Sequence, residues 1–177
     1  DIAAFEASLN ASAPGAAGIL AVPFFNGERT PNLPNAKACL FGLDSLNMRP
    51  EHFLRSAVEG VTFGLRAGLD QLREQGIAAK EIVLTGGGAN SPVWRQTVAD
   101  ICNAPVTVLK QTEAAALGAA LQATACVTSA DLASLTRAQL ERDAAACCEP
   151  QQAAVDFYAD HYHRYHHAAT HVAEIYR

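Results

Sequence analysis

An α/β architecture with parallel βα units and a long C-terminal helix is predicted by three observations. Two short apolar runs, residues 81–85 and 105–109, carry β-branched cores and are each followed by a stretch compatible with a helix. Three consecutive glycines, Gly86, Gly87 and Gly88, punctuate the first of these strand-to-helix junctions. At 177 residues, half of them hydrophobic, the chain can bury one substantial core. Strand, helix, strand, helix at this spacing implies parallel pairing, because parallel strands need a crossover.

The elements follow in order. The opening stretch is rich in Ala and Ser and reads as helix to about Leu9, then breaks at Pro14-Gly15. Residues 18–25 read as a buried strand with glycine on both sides. The loop 26–34 is polar and holds too many breakers for regular structure. A long helix starts near Pro50-Glu51, with proline and an acid favourably placed in its first turn, and stops at Gly76. Phe53, Ala57, Gly60, Gly64 and Gly68 recur along it at helical spacing, which predicts a thin buried face open to close packing. Arg66, Asp70 and Arg73 rule out the membrane reading of such a glycine stripe.

After the strand at 81–85 and the glycines, Ser91 stands as an N-cap with Pro92 at the first helical position. Trp94, Val98 and Ile101 supply that helix's apolar face. Beyond the strand at 105–109, Thr112-Glu113 cap a helix of small residues from Ala114 to about Ala125. A polar helical segment spans 131–146, and Pro150 opens a terminal helix running to about Tyr176. Its Tyr158, Tyr162 and Tyr165 form a stripe that packs against the domain.

Composition excludes several function classes. A formal net charge of -5 argues against nucleic acid or anionic membrane as a main partner, since both select basic patches. No apolar run reaches the roughly 20 residues of a membrane span. The first six residues lack a basic n-region and place acids where an apolar h-region would lie, so no signal peptide is read there. Five cysteines, odd in number and without C-x-x-C, suit a reducing, cytoplasmic setting.

The glycine triplet admits three readings: a tight turn with no ligand, a dinucleotide fingerprint, and a bare shelf on which a nucleotide lies. The dinucleotide pattern wants a third glycine where Ser91 stands, and an acid where the next strand ends in Lys110. A Walker A loop is excluded by the missing Gly-Lys-Ser/Thr. On the third reading a base or ribose lies against bare backbone and the helix N-terminus.

Longer motifs sharpen this. Residues 85–96, Thr-Gly-Gly-Gly-Ala-Asn-Ser-Pro-Val-Trp-Arg-Gln, are followed by Ala99-Asp100-Ile101, Pro105-Val106, Glu113 and Ala116-Leu117-Gly118-Ala119-Ala120. A second motif runs Ala38-Cys39-Leu40-Phe41-Gly42-Leu43, eight residues of gap, then His52-Phe53-x-x-Ser56-Ala57-Val58-Glu59. Together they resemble the C-terminal half of FGGY-type carbohydrate kinases, xylulokinases in particular, over about residues 22–125. The loop Gly27-Glu28-Arg29-Thr30-Pro31 resembles xylulokinases and, less closely, gluconokinases.

The resemblance implies a ribonuclease-H-like, actin-like ATPase fold in two domains, moving the γ-phosphoryl of ATP to a sugar hydroxyl with Mg2+ as cofactor. It implies ATP and a small-molecule sugar, D-xylulose, as partners. It assigns Gly86, Gly87, Gly88, Ala89, Asn90 and Ser91 to adenine and ribose. The catalytic base, phosphate hairpin and sugar pocket would lie in an N-terminal domain and first strands upstream of this chain, so no catalytic residue is expected here. A homodimer is among the assemblies it allows. A gluconokinase, a non-catalytic nucleotide-binding module and an NAD-linked enzyme stay open beside it.

Other side chains are capable of chemistry. Glu28 and Arg29 read as a solvated ion pair or as an arm of an interdomain cleft. Asp44, Asp100 and Asp131 are the available carboxylates, with Asp100 read as a structural residue. His163, His167 and His171 share a helix face at four-residue spacing, but no Cys or Glu completes a tetrahedral set, so no native metal site is expected.

Overall fold

A computed structural model describes residues 1–111 and 113–176. In chain order the elements are α1 (Ile2–Asn10), β1 (Leu20–Val22), β2 (Cys39–Phe41), α2 (Pro50–Glu74), β3 (Ile82–Leu84), α3 (Pro92–Cys102), β4 (Val106–Val108), α4 (Ala114–Thr128), α5 (Leu132–Gln139) and α6 (Gln152–Ile175). β3 and β4 pair in parallel, Ile82 opposite Val106, with α3 as the crossover. The expected βα unit is therefore present. β1 instead pairs antiparallel with β2, a strand the sequence pattern had not marked, with Leu20 opposite Phe41.

Three expectations need correction. The polar helix ends at Gln139, where α5 stops. Residues 140–148 return along the outer edge of β4: Val106 and Cys148 exchange both backbone hydrogen bonds at 2.9 Å, and Asp143 N donates to Val108 O at 2.8 Å. An open strand edge with unpaired N–H and C=O groups outcompeted helix propensity for this segment. At α4, Glu113 holds the N-cap position but its side chain makes no capping bond; Thr112 lies outside the described residues.

The third correction concerns α2. Of Phe53, Ala57, Gly60, Gly64 and Gly68, only Gly60 is buried. A Cβ there would collide with the carbonyl oxygen of Ala21 in β1, so glycine sets how close helix and strand approach. Gly64 and Gly68 face a groove of about 860 Å³ between the 23–31 loop, α2 and α6. The buried face is rotated toward Arg55, Ser56, Val58, Glu59, Thr62 and Phe63. Two charged residues turn inward because they find partners there.

Those partners converge on one atom. Glu59 Oε1 accepts from Arg55 Nε at 2.8 Å, from Tyr158 OH at 2.8 Å and from the backbone N–H of Gly15 at 2.9 Å. Arg55 Nη2 also donates to Tyr158 OH at 2.8 Å. Burial, with the Glu59 carboxylate beside it, pushes the Tyr158 hydroxyl well above its usual pKa. Burial opposes the Arg55 charge, yet Tyr158 and Glu59 outweigh it and hold the guanidinium's pKa up. Around this cluster lies the main core of Val22, Phe24, Phe63, Ile101, Tyr165 and Val172. A second core of Val98, Cys102, Val106 and Val108 underlies the sheet. The expected tyrosine stripe thus packs inward, Tyr158 and Tyr165 being buried and Tyr162 half-buried.

The helices are joined end to side. Arg66 and Arg73 of α2 donate to the last carbonyls of α3, on Ile101 and Cys102, where Asn103 closes the helix in the left-handed region. Asp100 of α3 accepts from the N–H of Gln151, the N-cap residue of α6, at 2.8 Å. It is a structural residue, as read from the sequence.

Two outcomes follow. Glu59→Ala leaves the buried Arg55 guanidinium without its carboxylate and should cost about 3–5 kcal/mol, whereas Tyr158→Phe should cost about 1–3 kcal/mol; urea unfolding of the intact protein measures both. The 177 residues alone should bind an apolar dye and self-associate, because Val61, Leu65, Leu72, Ile77 and Val83 are exposed. A monomer with low dye binding and a cooperative melt would contradict that.

Candidate functional site

The triplet Gly86 to Gly88 divides into three different cases. Gly86 has φ 86° and ψ -171°, a region open essentially to glycine alone, so the turn out of β3 demands it. Gly88 lies over the indole of Trp94: a Cβ there would sit 3.2–3.4 Å from three ring atoms. Gly87 has neither constraint. Its φ is not left-handed, nothing lies within 4 Å of a Cβ built on it, and it is exposed. The fold explains two of the glycines and leaves the third unexplained.

The turn is mounted on α3. Residues Gly87–Asn90 form a single 3-10 turn. Ser91 then caps α3, its hydroxyl accepting from Trp94 N at 3.0 Å, as its place before Pro92 predicts. Arg95 reaches back to donate from Nη1 to the carbonyl of Ala89 at 2.7 Å. Trp94 donates from Nε1 to Thr62 Oγ1 at 3.0 Å, which seats the whole assembly on α2. Of the six candidate residues, Gly86, Gly87 and Asn90 are exposed, Gly88 is half-covered, and Ala89 and Ser91 are buried.

Electrostatics restrict what this surface can hold. A helix N-terminus binds phosphate through free N–H groups in its first turn. Here Pro92 has none, Val93 N donates to the Glu6 carboxylate from α1 at 3.4 Å, and Trp94 N serves the Ser91 cap. The end of α3 is already filled, and by an anion. Phosphate is disfavoured beside it, and so is the dinucleotide reading, whose pyrophosphate needs that position. What suits the exposed Gly86, Gly87 and Asn90 is an uncharged, flat or polar group lying on backbone.

The remaining candidates are not brought to this turn. Glu28 makes no ion pair with Arg29; its Oε1 accepts the N–H of Arg29 at 2.6 Å and of Thr30 at 3.2 Å, so it shapes its own loop. Asp44 accepts from the N–H groups of Leu46 and Asn47, and Asp131 caps α5 through the N–H of Ser134. The large groove is lined by Glu28, Asp70, Tyr162 and Tyr165. Burial, with Glu28 nearby, pushes the Tyr165 hydroxyl up to about 12. Asp70 is tied to Arg66 and Arg73.

Thr62, Trp94, Arg95 and Glu6 are the supporting residues that the sequence did not single out for this role. Trp94 and Arg95 lie in the first turn of the helix that follows the glycines, so proximity in sequence is a usable signal; Glu6 and Thr62 come from distant elements and leave none.

Comparison with known proteins bears on the same segment. Residues 2–126 match the model of the FGGY family of carbohydrate kinases, C-terminal domain. The chain is 43% identical over 162 residues to a xylulose kinase of Haemophilus influenzae, covering 92% of this chain and 32% of that protein. It is 40% identical over 127 residues to a gluconokinase of Bacillus licheniformis, covering 68% and 24% respectively. The ligand-bound xylulose kinase of Lactobacillus acidophilus superposes with a TM-score of 0.84 at 24% identity over 97% of this chain. That likeness establishes the actin-like fold. The chain spans about a third or less of the length of these relatives.

The division of the glycines can be checked by substitution. Gly86→Ala should destabilise the protein by about 1–3 kcal/mol through its left-handed φ, while Gly87→Ala should leave the thermal midpoint unchanged or slightly raised. Equal losses at both positions would contradict it.

Proposed function

The chain belongs to the FGGY family of carbohydrate kinases, and on that premise we propose that it supplies the adenine-nucleotide-binding lobe of an ATP-dependent sugar kinase. The substrate class proposed is a ketopentose, D-xylulose, phosphorylated to D-xylulose 5-phosphate. The observation that carries the nucleotide assignment is Gly87, an exposed residue whose missing Cβ the fold itself does not require. Close approach of a ligand accounts for it. Adenine and ribose fit better than phosphate, because the first-turn N–H groups of α3 are committed to Glu6 and Ser91.

On this reading Gly86, Gly87 and Asn90 touch the nucleoside. Gly88, Ala89 and Ser91 hold the turn in shape from beneath, with Arg95 and Trp94 as positioning residues. The transferring phosphates point away toward an N-terminal domain that holds the carboxylate base and the sugar pocket. Magnesium, which the family implies, would supply positive charge against the charge that develops on the transferred phosphoryl group. Asp44, Asp100 and Asp131 are engaged in turns and caps, and on this reading the ion's ligands come from the upstream lobe.

Support for the ketopentose comes from similarity to xylulose kinases and from the Gly27–Pro31 loop. The gluconokinase similarity makes gluconate the competing substrate. A pocket whose polar groups pair with the right hydroxyls rejects analogues by factors on the order of 10⁴, so the preference should be large.

Two measurements on the intact enzyme test these assignments separately. Gly87→Val should raise KM for ATP by about tenfold or more, equivalent to at least about 1.4 kcal/mol, with KM for the sugar unchanged; unaltered ATP affinity in a folded variant would refute the nucleotide site. An ADP-release assay over D-xylulose, gluconate and glycerol should give the highest kcat/KM with D-xylulose. A different best substrate would refute the ketopentose assignment, and turnover of none would favour a non-catalytic module.

A further inference from the structure

α6 carries its core residues on one side and a row of histidines on the other. Val172 and Ala173 are buried, whereas His163, His167 and His171 are exposed. Two of the three come together. The Nε2 atoms of His167 and His171 lie 3.3 Å apart, with ring centroids 4.5 Å apart and planes at 81°. Zinc holds imidazole nitrogens at about 2.0–2.1 Å, and two such bonds at the tetrahedral angle separate the nitrogens by about 3.3–3.4 Å. The spacing of the pair is the bite of a tetrahedral ion.

The second ring nitrogen of His171 supplies an independent observation. Its Nδ1 lies 3.2 Å from Glu174 Oε2. With Nδ1–H donating to that carboxylate, the lone pair of His171 is placed on Nε2, facing His167. A carboxylate behind a ligating imidazole fixes its tautomer and raises its basicity, the outer-shell arrangement common to metal-bound histidines. With that tautomer, the contact between the two Nε2 atoms is a hydrogen bond donated by His167. A dication would replace that proton, with His167 moving its own to Nδ1.

We propose that His167 and His171 form a two-nitrogen site for a first-row transition-metal dication, zinc above all, oriented by Glu174. The four-residue spacing of the histidines is visible in the sequence, where the lack of a Cys or Glu as a further ligand argues against a native site. Among the described residues no group of three or more metal-binding side chains occurs, and Glu174 acts behind His171 rather than on the ion. Water would therefore fill the remaining positions, making the site open and reversible. Imidazole donors select zinc, nickel and copper over magnesium and calcium, so this site is distinct in chemistry from any kinase magnesium. A bound ion would tie together the outer side of a turn whose inner side is packed in the core, and so stabilise the docked end of α6.

The test uses the intact protein with any affinity tag removed, titrated with zinc chloride against a chromogenic chelator. One zinc per chain should bind. Affinity should fall at least about tenfold in His167→Ala and about tenfold in Glu174→Gln, the usual loss for an outer-shell partner, and should not change in His163→Ala. Zinc should raise the thermal midpoint of the natural protein but not of His167→Ala. All three substituted side chains are exposed, and circular dichroism verifies folding. Zinc affinity unchanged in His167→Ala, or no stoichiometric binding up to millimolar zinc, would overturn the site and leave a hydrogen-bonded histidine pair.

Discussion

A single carboxylate oxygen, Oε1 of Glu59, organises this molecule. It receives the Gly15 turn, the Arg55 guanidinium and the Tyr158 hydroxyl, and so fastens the chain's opening segment and its last helix to α2. Sequestering charge this way is expensive in itself, and its return lies less in net stability than in geometry: three segments have one mutually consistent arrangement in which every buried polar atom of the cluster is matched. With α2 fixed in rotation, Thr62 is presented to Trp94, and Arg66 and Arg73 to the end of α3. The glycine turn inherits its position through those contacts.

The turn illustrates how a surface can be specified by what has been used up. Anion recognition at a helix start depends on unspent N–H groups. Here the Glu6 carboxylate of α1 accepts from Val93 N and the Ser91 hydroxyl accepts from Trp94 N, so these first-turn N–H groups of α3 are not free for phosphate. The exposed backbone of Gly86 and Gly87 and the side chain of Asn90 are what remains for a ligand. On the nucleotide reading proposed above, discrimination between the charged and uncharged halves of the ligand would need no dedicated side chain.

Legibility in the sequence followed the range of the interactions involved. Ser91 with Pro92, the strands around Val83 and Thr107, and the starts of α2 and α6 are local signals, and each stands where the residues place it. The family motifs added the fold that local signals could not reach. What escaped was non-local. Periodicity assigns charge to the solvent face, so it hides the inward turn of Arg55 and Glu59 and puts the buried stripe of α2 at the wrong rotation. Residues 140–148 are polar and helix-compatible in isolation; only the unpaired edge of β4 explains their extended path. The three glycines looked like one feature because sequence cannot separate a left-handed φ from an indole beneath or from open space above.

That returning segment has a further consequence. By occupying the outer edge of β4, and by clamping Arg142 to Glu81 at 2.7 and 2.9 Å, it closes one side of the parallel pair. Among the described residues β3 has no strand neighbour other than β4. Growth of this parallel pair is thereby directed away from β4 and toward β3, the strand that leads into the glycine turn. Indiscriminate edge-to-edge pairing of copies through β4 is blocked, and a strand added beside β3 would lie within reach of the turn.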